Sequence, residues 1–294
     1  MTTQFDRAIA LDVGDGFAGF AIKSTSNLRV TFEVERDEKS WPNTAVIKVY
    51  NLNPDHRGAL AALQGVPCRL QAGYRDGMGT VFDGMLRDAI STHEPPDWVT
   101  ALQAGDGELD KNGETIAGKS VRKTWSKGTP IFQILIDFAA ALNVDLGNVP
   151  TMGAAARLST GPALLVSFGV DGPALDEFIY FMRSARMPWS IQGGKLQVRP
   201  APEIPASVGP LIAKETGMIG MIETSTEKVK RFNKTKTIKV CKGKTLLNAN
   251  LIPGQMCLLK SSNVTGNIQL TKVKQVGDTG GQEWYSEFEA IYGV

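Results

Sequence analysis

Eight basic residues and no acid fall in one stretch of the chain. "KVKRFNKTKTIKVCKGK" (228–244) carries Lys228, Lys230, Arg231, Lys234, Lys236, Lys239, Lys242 and Lys244. Cations at this density can neutralise the phosphates of a nucleic acid. They can equally meet an acidic protein surface, or line the solvated face of a strand. Ile238 and Val240 share one side of an alternating pattern, with Thr235, Thr237 and Lys239 on the other, so the run reads as a strand face plus a loop.

Other chemistry is thinly represented. His56 and His93 are the two histidines, and neither accompanies a G-x-S-x-G nucleophile context. A triad needs a histidine held by a carboxylate beside its nucleophile, so both histidines read as polar surface residues. "GDGELDKNGE" (105–114) resembles a calcium loop in composition only. Counting from Glu108 puts Lys119 where the bidentate Glu belongs, and counting from Asp106 puts Lys111 where Gly belongs. "KGKT" (242–245) ends like a phosphate loop, but Ile238 stands where the first glycine is required. Asp83, Asp88, Glu94 and Asp97 lack the spacing of an acid/base pair on one helix or strand. The three cysteines are odd in number and widely spaced, which suits neither a disulfide framework nor a zinc site. The expected catalytic, metal and cofactor residues are therefore none.

The elements that would carry these residues are mostly strands. "LRVTFEVER" alternates Leu28, Val30, Phe32 and Val34 against Arg29, Thr31, Glu33 and Glu35, the period of a half-buried strand. "AVIKVYNL" reads as a second. "NPDHRGALAALQG" reads as a helix capped by Asn53, with Pro54 in its first turn and Gly65 ending it. "VPCRLQAGY", "TVFDGMLRDAIST" and "WVTALQAGD" follow as strands between turns. The middle changes period: Thr129 as cap and Pro130 as first residue predict a helix over "IFQILIDFAAAL", and Pro173 predicts another over "ALDEFIYFMRSA". Gly193-Gly194 predicts a hairpin. "RPAPEIPASVGP" (199–210) reads as an extended linker, and the last third is strand-rich again.

Composition is ordinary for globular protein, with 42% hydrophobic and 21% charged residues and a net charge of +2 over 294 residues. That excludes a polyanion binder at the level of the whole chain. "MTTQFDRAIALDVGDGF" lacks the uninterrupted apolar core of a signal peptide. "IFQILIDFAAAL" is too short to span a bilayer and contains Asp137. The expectation is a soluble chain made in the cytoplasm, with no membrane anchor.

The two ends resemble each other. "GVPCRLQ" (65–71) and "PGQMCLLK" (253–260) place Gly65, Cys68 and Leu70 at the spacing of Gly254, Cys257 and Leu259. Each is followed by a turn, a longer strand, a polar turn and a strand opened by Trp98 or Trp284. Gly-to-Trp separations are 33 and 30 residues. One supersecondary unit used twice explains the ordered series. The expected architecture is mainly β: a first antiparallel barrel over 1–110, a mixed α/β region with linker over 111–210, and a second barrel over 211–294. Three such chains closed into a ring would present six similar barrels.

"SWPNTAVIKVYNLNPDHRGAL" (40–60), "ALDEFIYFMRSARMPWSIQGGKLQVRP" (174–200) and "LIPGQMCLLKSSNVTGNIQLTKVKQVGDTGGQEWYSEFEAIYG" (251–293) resemble, in order, the first barrel, middle domain and second barrel of tailed-bacteriophage tail hub proteins. Lys274 to Asp278 stand where many relatives carry a histidine before Gly-Asp. The resemblance implies a non-enzymatic structural virion protein of the tail or baseplate, without cofactor. It implies a homotrimeric ring joining the six-fold tail tube, or its adaptor ring, to a trimeric spike or tip, with the tape measure protein as a further partner. DNA would only pass through the channel, and the basic run would contact the neighbouring ring. The rival expectations are a nucleic-acid-binding protein using residues 228–244, and a cell-wall hydrolase or glycan-binding tail tip.

Overall fold

The computed structural model describes residues 6–14, 20–23, 27–37, 43–75, 77–106, 116–146, 163–185, 187, 189–192, 195–198, 210–231 and 234–292. The calcium-loop-like stretch from 107, the Gly193-Gly194 turn and the linker up to residue 209 lie outside the described residues.

The first strand set holds β1 (Arg7–Val13), β2 (Phe20–Lys23), β3 (Val30–Asp37), β4 (Thr44–Tyr50), a short helix α1 (Pro54–Ala61), β5 (Pro67–Tyr74), β6 (Gly77–Glu94) and β7 (Asp97–Gly105). Alternation does what it predicts: Val30, Phe32 and Val34 of β3 and Ala45, Ile47 and Val49 of β4 are all buried, while their neighbours face water. In α1, the Asn53 side chain accepts the His56 backbone N–H at 2.7 Å, and Pro54 occupies the first turn. The helix stops at Ala61 with Ala62 as its cap. Gly65 does not end it; its positive φ serves the turn into β5.

The middle region packs β8 (Ser120–Trp125), α2 (Ile131–Leu142), β9 (Asp145–Leu146), β10 (Phe168–Pro173), α3 (Ala174–Ala185), β11 (Trp189–Gln192) and β12 (Lys195–Val198) around one core. Rings of Trp125, Phe138, Phe168, Phe178, Phe181 and Trp189 fill it at centroid separations of 4.8–5.8 Å, a spacing at which aromatic pairs attract. Asp137, the polar residue inside the apolar run, accepts the Trp125 indole N–H at 2.7 Å and pairs with Lys123 at 2.8 Å. Thr129 and Pro130 differ from expectation. Pro130 is the N-cap, extended and bridged to Ala163, and Thr129 donates its hydroxyl to the Ser126 carbonyl. Asn43, 4% exposed, joins this region to the β body by donating to the Ile191 carbonyl and to Asp106.

The last set holds β13 (Leu211–Ala213), β14 (Met218–Arg231), β15 (Lys234–Leu246), β16 (Met256–Lys260), β17 (Thr265–Asp278) and β18 (Trp284–Tyr292). β17 pairs with β3, so both sets belong to one large antiparallel sheet, ordered β14-β15-β18-β17-β3-β4-β7-β6-β5-β1-β2. The order is open at β14 and at β2, and no closed barrel forms among the described residues. One local difference also separates the sets: β13 joins β16 in parallel, whereas β1 joins β5 antiparallel.

The repeat is present in the hydrogen bonding. Gly65 N–H donates to the Leu86 carbonyl and Leu86 N–H to Val66; Gly254 N–H donates to Leu270 and Leu270 N–H to Gln255. Both glycines have positive φ, +64° and +88°, where a Cβ would clash. After Leu86 and after Leu270 the ladder to the next strand slips by one residue, a β-bulge in each. Leu86 opposes Ala104 and Leu270 opposes Ala290; Ala45 and Cys241 then oppose those alanines from the far side. Counting along these ladders makes β3, β4, β6 and β7 the counterparts of β14, β15, β17 and β18. Trp98 falls on Trp284.

Candidate assembly interface and the charged sheet face

The basic run forms the ribbon of β14 and β15 at the open end of the sheet. Lys228, Lys230 and Arg231 lie on β14, and Lys234, Lys236, Lys239, Lys242 and Lys244 on β15. The side chains of residues 228–236 lie outside the described residues. Val240 is buried and Lys239 exposed, as the alternation predicts, and Lys239 reaches over the Tyr292 ring. The "KGKT" stretch is extended strand, without the loop and helix that cradle a phosphate.

Lys242 and Lys244 are engaged within the sheet. Lys242 pairs with Glu289 at 2.8 Å and Lys244 with Glu287 at 3.1 Å; Lys244 also lies 3.6 Å from the Tyr285 ring centroid. Glu289 and Glu287 in turn stand opposite Lys272 and Lys274 of β17. Those lysines pair with Glu35 and Glu33 of β3, the second at 2.7 Å. At the outer end, Glu223 of β14 stands opposite Lys242. Strands β14, β15, β18, β17 and β3 thus alternate negative and positive across one solvated face. Cross-strand opposite charges stabilise a sheet by about 0.2–1 kcal/mol per pair. The Glu289 hydrogen bond raises Lys242, and the Glu33 hydrogen bond raises Lys274, above the ordinary lysine value. A shallow depression of about 350 Å³ overlies this lattice, bordered by Ile219, Met221 and the ion pairs. It lacks the convergent buried polar groups of a small-molecule pocket.

Where the two sets join, Arg29 grips Asp278 through Nε at 3.1 Å and an Nη at 2.7 Å. Asp278 also accepts the Gly280 N–H. The Arg29 hydrogen bonds hold its carboxyl below the usual carboxylate range. Nothing in the sequence marked this pair, whose members are 249 positions apart.

The remaining sequence candidates are dispersed. His56 meets Phe20 edge-on, and His93 stacks on Trp98 at 4.9 Å. Asp83 pairs with Arg69, Asp97 accepts from Asn51, and Asp88 accepts the Ala89 N–H. The cysteines Cys68, Cys241 and Cys257 are free and buried. Burial pushes their thiols up to about 12, 11 and 12. No cluster of His, Cys, Asp or Glu able to hold a metal occurs among the described residues.

A mostly β chain with two matched strand sets and a helical middle region has known counterparts among solved structures. The tail protein from Neisseria meningitidis MC58 aligns over 98% of this chain and 97% of its own, at a TM-score of 0.62 and 9% identity. The 43 kDa tail protein of prophage MuSo2 from Shewanella oneidensis aligns over 97% and 98%, at 0.63 and 8%. The E. coli c3393 protein, described as a type VI secretion component similar in structure to the T4 bacteriophage tail proteins gp27 and gp5, aligns over 96% of this chain and 76% of its own, at 0.55 and 10%. This chain has the fold of phage tail proteins. No protein-family model and no curated protein matches the sequence.

Proposed function

We propose that this chain is a structural tail protein: a homotrimeric hub ring that joins a six-fold tail tube, or its adaptor, to a three-fold spike or tip around an axial channel. The observation that carries the reading is the hydrogen-bonded repeat. Matched bulges, glycines and tryptophans give one chain two equivalent strand sets, so three chains offer six. The units are the segments 1–110, 111–210 and 211–294, the outer two tube-like and the middle one a spacer. The likeness to tail proteins along almost the whole chain supports the same placement in a virion tail.

The action is mechanical: the ring adapts symmetry and carries a conformational trigger, with no catalytic step. The alternating face suits a channel wall past which DNA slides, because each lysine already has a carboxylate and gains less from a phosphate. The β14–β15 ribbon runs on past the end of β18 at Tyr292, so the 228–238 end of the basic run would reach the neighbouring ring.

Light scattering on the purified chain tests this. The expected mass is about three times 31.7 kDa. A single copy on the axis of assembled tail particles would refute it.

A further inference from the structure

The repeat contains its own docking template. Within one chain β3 adds to β17, from Lys272 opposite Asp37 to Asp278 opposite Thr31. Their counterparts are β14 and β6. Among the described residues β14 pairs only with β15, and β6 from Asp88 to Glu94 pairs only with β7. The same strand-to-strand contact therefore exists twice in the sequence and is used once in the chain.

We propose that the Asp88–Glu94 edge of β6 in one copy pairs antiparallel with β14 of a second copy. Transferring the internal register puts Asp88 opposite Glu227, Ile90 opposite Ser225 and Thr92 opposite Glu223. This rests on the ring reading and goes further, because it names the edges and the register. A contact between two different edges repeats head to tail and gives a ring where the rotation between copies closes, as the three-fold reading requires.

Backbone directions fit. Trp98 uses its carbonyl to accept from Asn51 on the β4 side, so its register partner His93 turns its own polar groups away from β7. By alternation Ser91 and Ala89 do the same. The Ala89 N–H, lacking a strand on that side, is held at 2.8 Å by the Asp88 carboxylate. Exposed edges of this kind are usually covered or protected.

The apolar side chains fit as well. Trp284 is covered by Phe32 of β3 at 5.6 Å. Trp98, at the matching position of β7, is 39% exposed. Phe32's place on β14 falls to the bulged stretch ending at Ile222, which a second copy would bring over Trp98. On the other face Ile90 is 49%, Ile219 40% and Met221 72% exposed. In the transferred register all three would stand on the solvated face of the proposed seam.

The test is a cysteine pair, Ile90→Cys with Ser225→Cys. These face each other in a non-hydrogen-bonded position, where Cα atoms approach to about 4.5 Å, within disulfide reach. The native cysteines are buried and do not compete. Mild oxidation should give a reducible ladder of two and three linked chains that stops at three. The pair Ile90→Cys with Thr224→Cys points to opposite faces and should give none. A mass of three chains without a ladder overturns the register and leaves the ring. A single-chain mass without a ladder overturns both. Equal ladders from both pairs also overturn the register.

Discussion

Trp98 and Trp284 stand at one position of a duplicated ladder, each six residues before the alanine that opposes a bulge leucine, yet their surroundings differ. Trp284 lies under Phe32 at 4% exposure, while Trp98 keeps 39% of its surface in water, stacked on His93. Their covers differ: Trp284 lies beneath Phe32 of β3 and the Arg7 guanidinium of β1, whereas Trp98 meets His93 and the Arg57 guanidinium of α1, with no described strand on the outer side of β6 from Asp88 to Glu94 to complete the cover. Trp284→Ala should therefore cost about 3–5 kcal/mol of stability, the range for emptying a buried aromatic site. Trp98→Ala should cost the isolated chain under about 1 kcal/mol and reduce assembly instead. Urea unfolding of both variants at low concentration separates the two.

Sequence legibility follows the range of the interaction. The β3 and β4 faces, the Asn53 cap and the Gly65–Cys68 echo of Gly254–Cys257 are local patterns, and local patterns survive in sequence. The Gly-to-Trp spacing held because both turn glycines need positive φ and both tryptophans sit in register. Pairing of β3 with β17 was not legible, because no local feature selects that edge over another. For the same reason two separate barrels were expected where one open sheet occurs. The basic run was legible as charge. Its ion pairs were not, since Glu287 and Glu289 lie more than forty positions away. Pro130 misled through a long-range bridge to Ala163 that a helix-start rule does not include.

The joint between the strand sets should be acid-sensitive. Asp278 has a lowered folded pKa, so its contribution is present above the unfolded value of about 3.9. It is lost as pH falls through the lower folded value. The Asp278 hydrogen bonds raise Arg29 above the ordinary arginine value, so it stays charged across the usable range and only the carboxyl side titrates. Asp278→Asn should lose about 1–3 kcal/mol at pH 7, as for hydrogen bonds to charged groups. The gap between variant and parent should close below about pH 4. Urea midpoints measured from pH 7 to pH 3 read this directly; a gap that stays constant would remove Asp278 as the cause.

Gly243 is a packing glycine. A Cβ there would come within 2.5 Å of Ile222 Cδ1 and 2.6 Å of Phe288 Cζ. Its counterpart on β4 is Ile47, opposite Leu102, so the two sets fill similar space with Gly plus Phe or with Ile plus Leu. Gly243→Val should destabilise by about 1–3 kcal/mol, as overpacking does. Ile222→Ala in the same chain should return part of that loss, since touching residues couple by about 0.5–3 kcal/mol. A double-mutant cycle in urea, with strictly additive losses, would reject this packing account.

Thiol chemistry should report only on unfolding. Cys68, Cys241 and Cys257 are buried, and desolvation raises each above its ordinary value. Because the thiolate is the reactive species, an aromatic disulfide reagent at pH 8 should label none of the three in the native chain. All three should react in denaturant. Fast labelling of the native chain would mean that the Cys68 or Cys257 strands open locally.

The sign alternation makes a last prediction about the proposed seam. Across β14, β15, β18, β17 and β3 each strand's charges face the opposite sign, but pairing β6 with β14 would bring Asp88 opposite Glu227. Like charges directly opposed weaken a strand pair by about 0.2–1 kcal/mol. Lys272, the counterpart of Asp88, shows what the position accepts in the internal pair, where it bonds Glu35. Asp88→Lys should therefore tighten assembly by roughly two- to fivefold in the concentration for half-association, with a smaller gain in high salt. Sedimentation velocity across a dilution series measures it. Weaker assembly of Asp88→Lys at low salt would mean that Asp88 meets a positive group, and that β14 is not its partner.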